Sequence, residues 1–161
     1  MNSSLSGKRA MYRFLTHGAL ALLVLTFSAA AHAKKTVNTD WNGLAIGGYD
    51  AVAYFTMDRA VQGSEEFSYD YLGSKWRFTS AEHMGQFKED PLRYIPQYGG
   101  YCASAVPHGG GNAMINPRVW RMVDGKLYLF YSERQTIGWN PDDPSVGEAD
   151  AAWDRIKAGL N

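Results

Sequence analysis

The coordinating chemistry of this 161-residue chain rests on one thiol and a few imidazoles and thioethers. Cys102 is its only cysteine and follows a glycine pair in the run Tyr98-Gly99-Gly100-Tyr101-Cys102-Ala103. A thiolate prefers soft or borderline ions, and Cu(I) is its best biological match. The same sulfur also suits a reactive thiol, a small buried hydrophobe or an intermolecular disulfide. His83 offers an imidazole suited to copper and zinc alike, or a half-buried ring making one hydrogen bond. His108 follows Cys102 by six residues in Val106-Pro107-His108-Gly109-Gly110-Gly111, where a loop histidine can swing to an ion or stay solvated. Met84 and Met114 are thioether candidates, although methionine at helical spacing is more often core. These residues predict a metal site in which Cys102 supplies a thiolate and His83 an imidazole. His108, Met114 or a second copy of the chain in a dimer would complete it. Copper is the expected ion and zinc the alternative.

Other chemistries fit less well. The glycines 109–111 invite a phosphate reading, but no Lys-Ser/Thr follows them and no strand-to-helix context surrounds them. Glu65-Glu66 would point to opposite faces of a strand, and Asp142-Asp143 precedes a helix, where acids are favoured. Cys-His hydrolysis by Cys102 and His83 has no oxyanion or nucleophile-turn motif to support it. Thiol oxidoreduction lacks a Cys-x-x-Cys pair, and a closed zinc site of four ligands is short of thiols. A catalytic role is therefore not expected.

The elements that must position these groups lie behind a leader. Lys8, Arg9 and Arg13 precede the apolar run Ala19-Leu20-Ala21-Leu22-Leu23-Val24-Leu25, and Ala31-His32-Ala33 gives the small-spacer-small pattern of a signal peptidase site. Residues 1–33 thus read as a signal peptide of a periplasmic or secreted protein, too short in its apolar core to anchor in a bilayer. Cleavage after Ala33 leaves 128 residues, enough for one core. The leader holds three of the 16 basic residues and none of the 16 acidic ones, so the mature chain is acidic by three charges. Nothing clusters basic residues for nucleic acid. Residues 34–46 read as an extension and 47–161 as one domain, without an internal repeat.

Within that domain, Phe67, Tyr69 and Tyr71 alternate, as do Trp76 and Phe78 around Leu72-Gly73-Ser74-Lys75, which predicts a β-hairpin with an aromatic face. Ser80 is a helix N-cap with Glu82 in the first turn, and Ala81, Met84 and Phe87 share one side of that helix until Asp90-Pro91 stops it. A short helical turn follows near Tyr94. Asp124-Gly125 joins a second hairpin, Trp120 to Val123 with Lys126 to Tyr131. Ser132 caps a short helix toward Trp139, and Asp143-Pro144-Ser145 opens a C-terminal helix whose apolar face is Ala152, Trp153, Ile156 and Leu160. Residues 51–55 and 98–106 fit helix or extended chain equally. Trp41, Trp76, Trp120, Tyr128, Phe130 and Tyr131 are expected mostly in the core. Hairpins and helices that do not alternate strictly define an α+β class.

The strings Gly48-Tyr49-Asp50-Ala51-Val52-Ala53-Tyr54-Phe55, Tyr71-Leu72-Gly73-Ser74-Lys75-Trp76-Arg77-Phe78-Thr79-Ser80, Phe87, Asp90-Pro91-Leu92-Arg93-Tyr94 and Tyr98-Gly99-Gly100-Tyr101-Cys102-Ala103 resemble the YHS domain family, most of all its exported single-domain branch. The resemblance implies a small α+β domain with a treble-clef-like hairpin and helix. In the metal-handling relatives, similar to TRASH-type modules, two cysteines bracket the helix start; here Thr79 and His83 stand at those positions. The resemblance implies metal handling for His83, with Cys102 adding a thiolate from elsewhere. The expected protein is an exported copper carrier, chaperone or sensor accessory, with a metal-delivery protein or a second copy as partner. A metal-free module that binds a small molecule or a protein is the alternative.

Overall fold

The computed structural model describes residues 35–110 and 113–160. The expected signal peptide lies outside them. The chain forms an α+β domain with two antiparallel two-stranded sheets and five short helices. Strand β1 (Ser64–Tyr71) pairs with β2 (Ser74–Phe78), and β3 (Asn116–Val123) pairs with β4 (Lys126–Phe130). The helices are α1 (Ala53–Thr56), α2 (Ala81–Glu89), α3 (Pro91–Tyr94), α4 (Glu133–Ile137) and α5 (Pro144–Ala158). Among the described residues no helix is long and apolar enough to cross a membrane.

Local chemistry sets the element ends. Ser80 accepts a hydrogen bond from the His83 amide at the start of α2. Asp90 caps α3 by accepting from Arg93, and Asp143 caps α5 by accepting from Ser145, each with proline in the first turn. Asp124 and Gly125 carry φ of 50° and 72°, the positive angles that a tight hairpin turn requires. The segment 35–46 is not a loose extension: Val37, Ala45 and Ile46 are fully buried in the same core as Trp76, Phe78 and Leu129.

The structure corrects the expectation that the chain has no internal repeat. Among the described residues, the elements of residues 46–87 recur 52 positions later. Both copies open on three successive residues with positive φ: Ile46-Gly47-Gly48 (44°, 65° and 75°) and Tyr98-Gly99-Gly100 (60°, 67° and 83°). Each then forms a helical turn, α1 in the first copy and a 3₁₀ turn at Val106–His108 in the second. Each hairpin has an eight-residue strand, a two-residue turn and a five-residue strand. The registers shift at the same place, between Ser64 and Ser68 in one and between Asn116 and Trp120 in the other. The segment after each hairpin, in α2 for the first and just past α4 for the second, packs one aromatic ring on the returning strand. Phe87 lies 4.8 Å from Trp76 and 5.1 Å from Phe78, and Trp139 lies 4.8 Å from Tyr128 and 5.3 Å from Phe130. Identical residues at matched positions include Gly47 and Gly99, Tyr49 and Tyr101, Gly73 and Gly125, Phe78 and Phe130, and Ser80 and Ser132. They are too few for the repeat to stand out before the elements are aligned.

Two aromatics expected in the core are not there. Trp41 is 93% exposed, because it tips a turn in which Asp40 accepts from the amides of Asn42 and Leu44. Tyr131 is 56% exposed, one residue past the end of β4.

Candidate functional site

The duplication sorts the sequence-derived candidates. Cys102 occupies the position of Asp50, Gln135 that of His83, and His108 that of Thr56. In the first copy Asp50 is fully buried. Its Oδ1 accepts from the amides of Val52 and Ala53 at 2.9 and 3.2 Å, which caps α1. Its Oδ2 accepts from the Thr79 amide at 2.8 Å and the Thr79 hydroxyl at 2.7 Å, and lies 2.6 Å from His83 Nδ1. His83 Nε2 is 3.3 Å from Thr56 Oγ1, whose hydroxyl reaches the Val52 carbonyl at 3.1 Å. Each polar group in this network has a partner inside its own copy.

The second copy builds the same constellation from different chemistry. The Cys102 Sγ lies 3.5 Å from Gln135 Oε1, to which its S–H donates, and 3.3 Å from Ser104 Oγ. Gln135 Oε1 also accepts from the Tyr131 amide at 3.1 Å, as Asp50 accepts from the matching Thr79 amide. The sulfur itself is buried. Its neighbours Ser104 and Gln135 line a polar cavity of about 100 Å³, together with His108, Asn140 and Trp139. The Trp139 indole N–H is buried and has no hydrogen-bond partner among the described residues. Its counterpart Phe87 carries no such group. At the cavity edge the Asp143 carboxyl is held below its usual range by the hydroxyl and amide of Ser145, with a smaller favourable contribution from His108.

The backbone at Cys102 is set by the glycine pair before it. A Cβ on Gly99 would fall 1.8 Å from the Thr36 carbonyl oxygen, and one on Gly100 would fall 2.8 Å from the Ile46 methyl. Only glycine therefore lets the segment 35–46 pack against this turn. Past it, the Ala103 amide donates to Leu129 on β4 at 2.8 Å, which fixes the sulfur behind the second hairpin.

The structure does not bring Cys102 and His83 into one hydrogen-bonded group; they belong to complementary positions of different copies. It does set His108 on the cavity next to Cys102's partners. Met114 is 74% exposed and Met84 packs at the margin of the core. Among the described residues no group of three or more His, Cys, Asp or Glu is arranged to hold a metal ion. The residues that sequence reasoning passed over are Asp50, Ser104 and Gln135. Asp50 had a signal, an aspartate directly before a short apolar segment. Gln135 had none until the two copies were superposed in register.

A second polar group lies under α5. Asp150 accepts from Tyr98 and Tyr128 hydroxyls, each at 2.7 Å, and from Lys126 at 2.9 Å. Burial alone would push its carboxyl pKa up, but the hydrogen bonds from Lys126, Tyr128 and Tyr98 outweigh it and hold the group below its ordinary value. Burial, then the bond to Asp150, pushes both tyrosine hydroxyls well above the usual range. The position was readable: Asp150 stands four residues after Val146 and three before Trp153, on the buried side of α5.

No family model matches this chain, no curated protein matches it, and no solved structure matches it.

Proposed function

We propose that this is an exported metal-handling protein that carries Cu(I) on Cys102 and His108, in the manner its resemblance to YHS domains implies. The observation that carries the reading is the cavity of the second copy, where His108 and both hydrogen-bond partners of Cys102 converge. In the first copy the residue matching His108 reaches the imidazole of His83, the residue matching Gln135, so the fold already directs this position toward the shared centre. A thiolate and an imidazole suit Cu(I), which accepts few and soft ligands. The donor set does not suit zinc, which takes four ligands in closed sites; here the other groups near the sulfur are a hydroxyl and an amide oxygen. Loading the ion requires loss of the thiol proton and release of Gln135 from the sulfur. The mature chain's acidity and its lack of basic clusters favour a cation or a protein as partner over nucleic acid.

Cu(I) titration under anaerobic conditions, against a chromophoric chelator, tests this. Cys102→Ser and His108→Ala should each lose tight binding, whereas His83→Ala should retain it. Parent-like copper affinity in both Cys102→Ser and His108→Ala refutes the site.

A further inference from the structure

The duplication also bears on the shape of the cavity beside Cys102's partners. In the first copy three aromatic rings pack together at the matching place. Tyr94 lies 5.4 Å from Phe55, edge to face, and 6.5 Å from Phe87. It is only 7% exposed and is the buried residue of α3. The positions 52 further on are Pro107, Trp139 and Val146. The match holds past Trp139, because each copy goes on to a helix that an aspartate caps ahead of a proline. The first buried residue of that helix is Tyr94 in α3 and Val146 in α5. All three counterparts line the cavity of about 100 Å³. Two of the three rings have therefore given way to the smaller side chains of Pro107 and Val146, and the second copy lines a cavity where the first packs rings. Its wall also carries Ser104, His108 and Gln135. Hydroxyl, imidazole and amide groups on a cavity wall call for a polar partner, which a purely apolar occupant does not supply.

We propose that this cavity binds a free single-ring aromatic molecule with one neutral hydroxyl group. The ring takes the place against Pro107, Trp139 and Val146 that Tyr94 holds in the first copy, and the hydroxyl meets the polar wall. A cavity of about 150 Å³ encloses benzene. The smaller one here holds a single ring partly open to water and leaves no room for a peptide backbone beside it. The copper reading draws on the same cavity through His108, but the ring contacts named here need no ion, so the test uses metal-free protein.

p-Cresol, the tyrosine side chain as a free molecule, is the probe for an NMR titration. It should bind at one site with a dissociation constant of about 1 mM, reasonable for a ligand of this size. The Val146 methyl resonances should move upfield under the ring, a readout that needs no variant to fold. Toluene, which lacks the hydroxyl, should bind about fivefold more weakly, the worth of one neutral hydrogen bond. N-Acetyltyrosinamide, the same ring on a peptide backbone, should bind weaker by about tenfold or more. Val146→Tyr, which restores the ring of the first copy, should abolish p-cresol binding, and Pro107→Phe should weaken it about tenfold. No binding of p-cresol up to about 20 mM, unmoved Val146 methyls, toluene or N-acetyltyrosinamide binding as tightly as p-cresol, or parent-like affinity in folded Val146→Tyr or Pro107→Phe overturns the proposal. The copper titration turns on Cys102→Ser and His108→Ala, so the two readings fail separately.

Discussion

Replacing Asp50 with alanine should be among the most damaging single substitutions in the described part of the chain. The carboxylate is fully buried and joins three pieces of the first copy: α1 through Val52 and Ala53, the end of β2 through Thr79, and α2 through His83. Loss of the cap alone costs about 1 kcal/mol. Leaving the Thr79 amide and the His83 ring nitrogen without their buried acceptor costs about 1–3 kcal/mol each. The two contributions overlap at one residue, so the expected total is about 4 kcal/mol, a large share of the roughly 5–15 kcal/mol that holds a domain together. With a urea slope near 2 kcal/mol/M, that is a midpoint shift of about 2 M. Asp50→Asn keeps the capping oxygen but turns an amide nitrogen toward the Thr79 N–H, and should lose about half as much. A double-mutant cycle with His83→Gln should show coupling of at least about 1 kcal/mol. A shift of less than about 1 kcal/mol for Asp50→Ala, or additivity with His83→Gln, would refute the view that this network holds the first copy closed.

Asp150 gives the protein an acid limit. Its folded pKa lies below the ordinary 3.8, so its contribution is complete above that value and is lost as pH falls through the folded pKa. Urea midpoints from pH 6 to pH 3 should fall more steeply for the parent than for Asp150→Asn, and equal slopes would exclude the assignment. Tyr98 and Tyr128 titrate higher when folded, so their contribution is present below about pH 10 and declines above it; absorbance of tyrosinate should appear together with unfolding rather than before it. Gly99→Ala should displace the segment 35–46, since the new methyl would overlap the Thr36 carbonyl at a positive φ. Its expected cost exceeds about 2 kcal/mol, read as a lowered thermal midpoint. Cys102, buried in the fold, should be alkylated by iodoacetamide more slowly in the folded protein than in the urea-unfolded chain; equal rates would show the sulfur exposed.

Much of the fold was legible because it is written in neighbours. The aromatic alternation of β1 and β2, the Asp124-Gly125 turn, the Ser80 cap and the Asp-Pro start of α5 each depend on a few adjacent residues. What was not legible depends on residues far apart. Asp50 meets His83 across 33 positions, and Tyr98 meets Asp150 across 52. The positive φ of Tyr98 is imposed by packing around a glycine pair, not by its own preference. Trp41 was misplaced for the opposite reason, since a large ring suggests burial while its neighbours Asp40, Asn42 and Gly43 build an exposed turn.

The duplication explains why a thiol and an imidazole that look complementary in the sequence do not meet. Each copy brings one residue from its glycine turn and one from the helix after its hairpin to a shared centre. The first copy fills those places with Asp50 and His83, the second with Cys102 and Gln135. A Cys-His pair is therefore divided diagonally between two equivalent sites, and one substitution should restore it. Gln135→His sets an imidazole where His83 would stand in the second copy, beside the thiol and with the Ser132 position at the same distance along the chain. If the copies are equivalent, this variant should bind Cu(I) more tightly than the parent. The matching change in the first copy, Asp50→Cys, should give a new Cys-His pair but lose the α1 cap. Unchanged copper affinity in a folded Gln135→His protein would show that the two centres share sequence positions without sharing geometry.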